Sequence, residues 1–178
     1  YGSARRLQAI MNMGQVGQYP VDPNGIVNSR FTSRDTPITV LAHEAGHLFL
    51  AFASVRDPQN FASRPMLGRQ TAHWSFLFNS EASLLEGNRI EDRGMGASPR
   101  FETVAVTEGY SPLDQYLMGL RAKDEVPPLF YVSGAGINTL FSPPPQIGVR
   151  FDGVRRDFTV DDLISEVGPR VPAHTVAQ

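Results

Sequence analysis

The sequence predicts an α+β domain in which a small mixed or antiparallel sheet packs on one central helix. The first observation behind this fold class is a long apolar segment with a helix start signal, Pro37–Val55. The second is a series of short segments rich in aromatic and β-branched residues, separated by turns in a chain with 16 glycines and 14 prolines. The third is a second capped helix that begins at Pro112 and is expected to close the site carried by the first.

The composition is that of a globular domain with an aqueous surface. The 178 residues suffice for one domain with a sizeable core, and 41% of them are hydrophobic while 19% are charged. The formal net charge is -2 without a basic run, so nothing indicates binding to nucleic acid or to an anionic membrane. The absence of cysteine excludes disulfides, thiolate metal sites and a cysteine nucleophile. We expect one domain over residues 1–178, truncated or processed at its N-terminus because it begins with Tyr1.

The central helix is predicted over Pro37–Val55, PITVLAHEAGHLFLAFASV. Thr36 is a suitable N-cap, and Pro37 suits the first helical position. Apolar residues lie on nearly every side of this helix, so we expect it to be buried. Its ionisable side chains all belong to the run HEAGH. This run interrupts an apolar segment that is already at the short limit for crossing a bilayer, which argues against a membrane span.

Two histidines of this helix, His43 and His47, are one helical turn apart and therefore share a face. Burying two imidazoles and a carboxylate is costly unless each group has a partner. A divalent metal ion satisfies both imidazoles, and Glu44 lies one step round the helix, within reach of a water on that metal. The arrangement H-E-x-x-H thus predicts a zinc site with Glu44 as general base. The alternative is two ordinary helical histidines with a solvated glutamate between them.

A third ligand must come from outside the helix, because a catalytic zinc usually has three protein ligands and a water. His73 is the first candidate, since it lies in the apolar, aromatic segment Thr71–Asn79, for which the composition predicts a strand. Its alternative role is a core histidine bonded to the backbone. Asp114 is the second candidate, although Ser111-x-x-Asp114 also explains it as a helix cap. The weaker candidates are solvated in the simplest interpretation: Glu81, Glu86, Glu108 and, in the tail, His174.

The remaining predicted strands are short. Their composition and bounding turns place them at Arg6–Met13, Ile26–Phe31, Phe101–Val106, Leu129–Val132 and Val149–Phe151. The charged, glycine-containing segment Arg89–Ser98 is predicted to be an exposed loop. Asp22 and Asn24 belong to VDPNG, which is typical of an Asx-type turn. Calcium binding by these two residues is the less favoured alternative.

Two further helices have clear start signals. Ser111 is the expected cap of a helix from Pro112 to about Arg121, with Asp114 at the capping-box position. The segment that begins Thr159-Val160-Asp161-Asp162 is expected to open a last short helix that ends at about Val167.

The HEAGH run of the central helix resembles the active-site helix of the zincin metallopeptidases. More loosely, SLLEGN at 83–88 followed by YSPLD at 110–114 is similar to the end of a metzincin domain. There a turn with a Met under the metal precedes a helix that begins Ser-x-x-Asp, whereas here Leu replaces that Met. Leu50 and Ala53 occupy the positions of the Gly and His that complete the metzincin motif. The chain also resembles secreted bacterial proteins that pair H-E-x-x-H with a later SPLDxYLMGL helix.

The resemblance implies a zinc-dependent endopeptidase, secreted or at the cell surface, that acts on protein or peptide substrates. Glu44 is expected to take a proton from water and deliver it to the leaving nitrogen. Tyr110 or Tyr116 is expected to stabilise the oxyanion. An edge strand, Arg6–Met13 or Thr71–Asn79, is expected to pair with the substrate backbone. Two other function classes stay open: an inactive zincin-like binding or adhesion module, and a zinc hydrolase acting on a non-peptide amide.

Overall fold

The computed structural model describes residues 10–30, 33–138 and 144–176. Within these ranges the protein combines antiparallel sheets with three α-helices, which confirms the predicted fold class at that level. The strands are β1 (Asn28–Arg30), β2 (Ser33–Asp35), β3 (Val55–Arg56), β4 (Ala62–Ser63), β5 (Asn88–Asp92), β6 (Phe101–Val106), β7 (Leu129–Ser133), β8 (Arg150–Phe151) and β9 (Val154–Phe158). The α-helices are α1 (Pro37–Gly46), α2 (Pro112–Leu117) and α3 (Val160–Val167). Short 3-10 helices occupy Val16–Gln18, Arg69–Thr71 and Lys123–Glu125.

The sheets are small, and every strand pair in them is antiparallel. β1 pairs with β2 and β3 pairs with β4. The largest sheet has three strands in the order β5-β6-β8, with Phe101 of β6 opposite Phe151 of β8. β7 pairs with β9 over five residues, from Leu129 opposite Phe158 to Ser133 opposite Val154. The strand predictions for β6 and β7 are confirmed. Of the predicted strand Ile26–Phe31, β1 confirms residues 28–30, and Phe31 lies outside the described residues. Of the predicted strand Val149–Phe151, β8 confirms the last two residues.

Helix α1 begins where the sequence predicts but ends early. The Thr36 hydroxyl accepts a hydrogen bond from the Thr39 backbone, and the Thr39 hydroxyl accepts one from the Thr36 backbone, so both caps form. The prediction of a helix through Val55 is wrong, because regular helical geometry stops at Gly46. In the next turn, the backbones of Leu48 and Phe49 donate to carbonyls three residues earlier instead of four. Ala51 then adopts a φ of 70°, which no right-handed helix contains.

The prediction that α1 is buried on all sides is also wrong for the part of the chain that the structure describes. Only His43 and Gly46 of this helix are buried. A side chain at Gly46 would meet Leu85 at 3.4 Å and Tyr110 at 3.7 Å, so this face packs against the rest of the domain. The opposite face carries Ile38 and Leu41, which stay largely exposed. Helix α1 therefore presents one packed face, and that face includes His43.

Two apolar clusters form the core. The larger one joins α2, α3 and the segment after α1, with fully buried members that include Leu50, Met66, Trp74, Phe78, Leu85, Leu113 and Leu163. The smaller one lies between the three-stranded sheet and β7, with Phe76, Leu77, Ile90, Phe101, Phe130, Val132 and Phe151. Within the described ranges, no helix combines the length and the apolar character that crossing a bilayer requires.

Several predicted elements differ from the structure. Residues 6–9 of the first predicted strand lie outside the described residues, and positions 10–13 form no strand. Arg89–Ser98 is not an exposed loop throughout, because β5 covers its first part. The charged residues of this segment suggested full exposure, but they alternate with buried ones. Ile90 points into the core while its neighbours point outward, as the two-residue period of a strand allows. Thr71–Asn79 is not a continuous strand, and makes only isolated bridges at Trp74, Phe78 and Asn79.

The capping predictions for α2 and α3 are confirmed. The Ser111 hydroxyl accepts from the Asp114 backbone at 3.1 Å, and the Asp114 carboxylate accepts from the Ser111 backbone at 2.8 Å. At α3 the Asp162 carboxylate accepts from the Thr159 backbone at 2.7 Å and from the Thr159 hydroxyl at 2.8 Å. Helix α2 ends at Leu117 rather than near Arg121. In VDPNG, the Asp22 carboxylate accepts from the Asn24 backbone, as the Asx-turn interpretation predicts.

Candidate metal centre

Three histidines from two separate segments converge at one point. One ring nitrogen each of His43, His47 and His73 lies within 4.8 Å of the other two, close enough for the three to bind a single metal ion. The Nε2 atoms of His43 and His47 are 3.2 Å apart. Ring centroids are separated by 4.9 Å for His43 and His47, 5.3 Å for His43 and His73, and 4.9 Å for His47 and His73. Zn–N bonds of about 2.0–2.1 Å in a tetrahedral site separate two ligand nitrogens by about 3.3 Å, and the 3.2 Å between the His43 and His47 nitrogens agrees with that spacing.

Each of the three imidazoles is oriented by a backbone carbonyl. His43 Nδ1 lies 2.8 Å from the Leu84 oxygen, and His73 Nδ1 lies 3.0 Å from the Arg69 oxygen. The His47 ring makes its own backbone hydrogen bond to Ala72. A carbonyl oxygen only accepts, so the nitrogen facing it carries the proton. In His43 and His73 this leaves Nε2 with a free lone pair, which is the tautomer that a metal ligand needs.

His73 reaches the site through a tight turn rather than a strand. The Gly68 backbone donates to the His73 carbonyl at 2.9 Å, which closes a loop around the 3-10 helix Arg69–Thr71. Gln70 and Thr71 both have a positive φ inside this loop. A Cβ at Gly68 would lie 2.4 Å from the Ser75 Cα, so only glycine fits where the two segments cross. The predicted strand at His73 is therefore wrong, because the loop closes on itself instead of extending.

Burial favours the neutral form of two of the site's imidazoles, those of His47 and His73. The pKa of His47 is lowered, first by burial and then by the neighbouring His43, while the charge of Glu44 opposes the change. The pKa of His73 is lowered as well, mainly by burial, with Glu86 opposing. Because the charged form is disfavoured, His47 and His73 hold a lone pair at neutral pH. Neutral imidazoles are the form that binds a cation.

A buried ion pair lies directly behind His73. The Glu86 side chain is 5% exposed and accepts a hydrogen bond from Arg69 Nη1 at 2.7 Å. Its Oε2 atom is 3.8 Å from His73 Nδ1. Glu86 was a weak ligand candidate on sequence grounds, and the structure instead pairs its carboxylate with a guanidinium. It therefore supplies negative charge behind a candidate ligand.

Glu44 follows His43 on α1 and is partly exposed. Its carboxylate is not one of the converging ligand atoms. Its negative charge nevertheless acts on the His47 ring, where it favours the protonated form. Among the residues that the structure describes, no hydrogen bond or ion pair engages this carboxylate. The Glu44 carboxylate thus follows His43 in the chain and has no partner among the described residues.

The structure does not bring Asp114 to the histidines. Its side chain is fully buried and accepts from Trp74 Nε1 at 3.0 Å, as well as from the Ser111 backbone. Its pKa is raised, because burial outweighs hydrogen bonds from Ser83, Ser111 and Trp74. The alternative explanation of Asp114 as a helix cap is therefore the one that the geometry supports, with an added bond to Trp74 that the sequence did not indicate.

The two candidate tyrosines occupy different places. The Tyr110 hydroxyl donates to the Ala42 carbonyl of α1, so its proton is directed at the helix. Burial raises the Tyr110 pKa, which keeps this hydroxyl protonated. Tyr116 packs in the core and lines a cavity to which none of the three converging histidines contributes. The tail residue His174 lines that same cavity.

The other carboxylates among the weak ligand candidates are held in surface ion pairs. Arg89 donates to Glu81 at 2.9 Å and to Glu108 at 2.8 Å. Neither glutamate belongs to the converging group.

The sequence analysis missed the acceptors that orient the imidazoles. The carbonyls of Arg69, Ala72 and Leu84 carry no side-chain signal, because any residue supplies the same oxygen. Trp74 offered a weak signal, since a buried indole N–H needs a partner. That partner lies 40 residues along the chain, at Asp114, and no local pattern identifies it.

Comparison with known proteins finds no relative of this chain. No protein-family model matches the chain, and neither a curated protein nor a solved structure matches it. Statements about activity therefore depend on the residues themselves.

Proposed function

We propose that this chain is a zinc-dependent endopeptidase that cleaves protein or peptide substrates with Glu44 as general base. The observation that supports the proposal most strongly is the convergence of three oriented imidazoles beside a carboxylate that has no structural partner among the described residues. A purely structural site with three histidines has no need of that carboxylate. Three nitrogen ligands suit a catalytic zinc ion, because such an ion keeps its fourth coordination position open for water or substrate.

A bound zinc ion would supply activation of water and polarisation of the scissile carbonyl group. His43, His47 and His73 would hold it, with their outer N–H groups anchored by backbone oxygens. Glu44 would accept the proton of the attacking water on its carboxylate and release it to the leaving nitrogen. Tyr110, whose hydroxyl donates to Ala42, would brace α1 in this arrangement instead of contacting the oxyanion.

The deciding experiment compares the wild-type chain with Glu44→Gln, with zinc content and hydrolysis of casein, gelatin and a peptide library measured for both. Loss of the base should lower kcat about 10²–10⁴-fold while the zinc content stays the same. Glu91→Gln is the matched control, because Glu91 is an exposed glutamate in β5. The control should keep full activity.

Two results would contradict the proposal. Hydrolysis that survives Glu44→Gln would remove Glu44 from the mechanism. Zinc bound stoichiometrically by the wild type, with no cleavage of any peptide, would indicate a metal-containing binding module instead. Cleavage of amides other than peptides would redirect the proposal to a different substrate class.

A further inference from the structure

The acceptors that orient the three imidazoles all belong to one stretch of chain, residues 69–84. They are the carbonyls of Arg69, Ala72 and Leu84. A carbonyl moves with its backbone, so the direction of each ring depends on what fixes this stretch. A backbone shift of a fraction of an ångström would rotate the lone pairs away from their common point.

Asp114 fixes this stretch from a distant part of the chain. Its carboxylate accepts from Trp74 Nε1 at 3.0 Å and from the Ser83 hydroxyl, in addition to the Ser111 backbone. The Trp74 indole also lies 3.1 Å from Ser83 Oγ, so the three side chains form one buried network. Ser83 Oγ further accepts from the Leu85 backbone at 3.2 Å. The network therefore joins α2 to the stretch at two places, Trp74 and Ser83.

Both contacts of Asp114 lie next to a residue of the site. Trp74 follows His73 directly, and Ser83 precedes Leu84, whose carbonyl orients His43. One carboxylate thus restrains a candidate ligand on one side and an orienting acceptor on the other. In both cases only one peptide unit lies between the network and the site.

Helix capping alone does not explain why the Asp114 carboxylate is fully buried. At the start of α3 the Asp162 carboxylate likewise accepts from the Thr159 backbone, and there the Asp162 side chain is exposed. Asp114 is 0% exposed, and burying a carboxylate is costly unless it is hydrogen-bonded. The partners that distinguish Asp114 from Asp162 are Trp74 and Ser83.

We infer that Asp114 is a positioning residue for the metal centre and acts through Trp74 and Ser83. The inference rests on the proposed function in so far as it takes the three histidines as metal ligands. Asp114 itself contacts neither the ion nor the substrate. It keeps the 69–84 stretch, and with it the lone pairs of His43 and His73, in the geometry that the ion requires.

The test substitutes the contacts of Asp114 and leaves its capping role intact. Ser83→Ala and Trp74→Phe each remove one donor, and zinc affinity is measured on the full chain by competition with a chelator. We expect each variant to lose about 10–100-fold in affinity, as substitutions behind metal ligands do. Ser111→Ala is the matched control: it removes the cap hydroxyl but keeps both contacts of Asp114 with the stretch. Its affinity should stay within threefold of wild type.

A second measurement needs no metal. In the zinc-free protein, the His43 Nδ1–H that donates to Leu84 gives an imidazole proton signal by NMR. This signal should weaken or shift in Ser83→Ala and stay unchanged in Ser111→Ala. Wild-type affinity and an unchanged signal in both Ser83→Ala and Trp74→Phe would overturn the inference. An equal loss of affinity in Ser111→Ala would overturn it too, since helix stability would then be the cause.

The two proposals fail in different ways. A wild-type chain that binds zinc but cleaves no peptide removes the proposed function and leaves the positioning role standing. Loss of hydrolysis in Glu44→Gln with equal zinc affinity in all other variants removes only the positioning role. A wild-type chain without zinc affinity overturns both.

Discussion

The histidine site and the cluster around Asp92 both gather ionisable side chains at short distances, but they differ in charge balance. Asp92 accepts from Arg100 Nε at 2.7 Å and Nη2 at 2.6 Å, and from Arg155 Nη1 at 3.0 Å. Opposite charges meet there, and the Arg155 guanidinium also lies 3.9 Å from the centre of the Phe130 ring. At the histidine site three like groups face one another, with their outer nitrogens bonded and their inner nitrogens convergent.

This difference separates a structural cluster from a candidate metal site. The Asp92 cluster satisfies its own hydrogen bonds, and ties β5 and the loop before β6 to β9. The three imidazoles bring their ring nitrogens together with no opposite charge among them, so a cation at that point would stabilise the arrangement. We therefore expect substitutions in the first region to alter stability and those in the second to alter metal affinity.

The largest effect is expected from His73→Ala. Removing one of three converging nitrogens should lower zinc affinity by more than the roughly 100-fold that a partner behind a ligand contributes. The free energy of unfolding of the metal-free chain should change far less than the affinity. Competition titration with a chelator measures the first quantity and urea unfolding the second.

The control for this substitution is His174→Ala, which removes a histidine from the cavity that Tyr116 lines and should keep wild-type affinity. Asp114→Ala should cost less zinc affinity than His73→Ala. The reverse order would make Asp114 a ligand and contradict the site described above.

An intermediate effect is expected from Gly68→Ala, which tests whether the loop shape, rather than the histidines alone, makes the site. The new Cβ would lie 2.4 Å from the Ser75 Cα and 2.6 Å from the Trp74 carbonyl, so the backbone must move. Overpacking of this kind costs about 1–3 kcal/mol in the free energy of unfolding. Zinc affinity should fall as well, because His73 is in the displaced loop.

Gly96→Ala is the matched control, since a Cβ at Gly96 meets nothing within 4 Å. Urea unfolding and zinc titration of both variants check the prediction. Equal unfolding free energies and equal zinc affinities in the two variants would show that the backbone at Gly68 can shift without cost.

The smallest effect is expected from Asp92→Asn and concerns stability only. Hydrogen bonds from Arg100, then those from Gly94 and Arg155, hold the pKa of Asp92 well below its usual range. A depressed pKa in the folded state stabilises the protein above the unfolded value of about 3.9, and this contribution disappears as the pH falls below it. Asp92→Asn should therefore lower the free energy of unfolding by about 1–2 kcal/mol at pH 7, with partial screening by solvent.

The pH profile distinguishes this mechanism from a general loss of packing. Between about pH 5 and pH 2 the wild type should lose more stability than Asp92→Asn, because the variant has no carboxylate to protonate at this position. Urea unfolding at several pH values measures the difference. If the free energies of unfolding of the wild type and Asp92→Asn changed in parallel with pH, protonation of Asp92 would not contribute to the pH dependence of stability. The zinc affinity of the variant at pH 7 should equal that of the wild type.

Local signals in the sequence predicted the features that depend on a few neighbouring residues. The caps expected at Thr36, Ser111 and Thr159 all form, because each involves residues only three apart. The spacing of His43 and His47 places both imidazoles at one site for the same reason.

Features that depend on contacts between residues far apart in the chain could not be predicted from local sequence patterns. The composition of Pro37–Val55 favours a helix throughout, but the chain reverses at Ala51 and buries Leu50 and Val55 in the core. The segment around His73 has strand-like residues, yet the crossing at Gly68 folds it into a loop. Long-range packing overrides intrinsic preference in both places.

The main-chain acceptors at the histidine site have a consequence for how the site tolerates genetic change. Exchanging the side chains of Arg69, Ala72 or Leu84 leaves their oxygens in place, so single substitutions there cannot delete an anchor. Inserting or deleting one residue between them would shift the register of every later oxygen. The site is thus shielded from point mutations at its anchors and highly sensitive to the length of the segment that carries them.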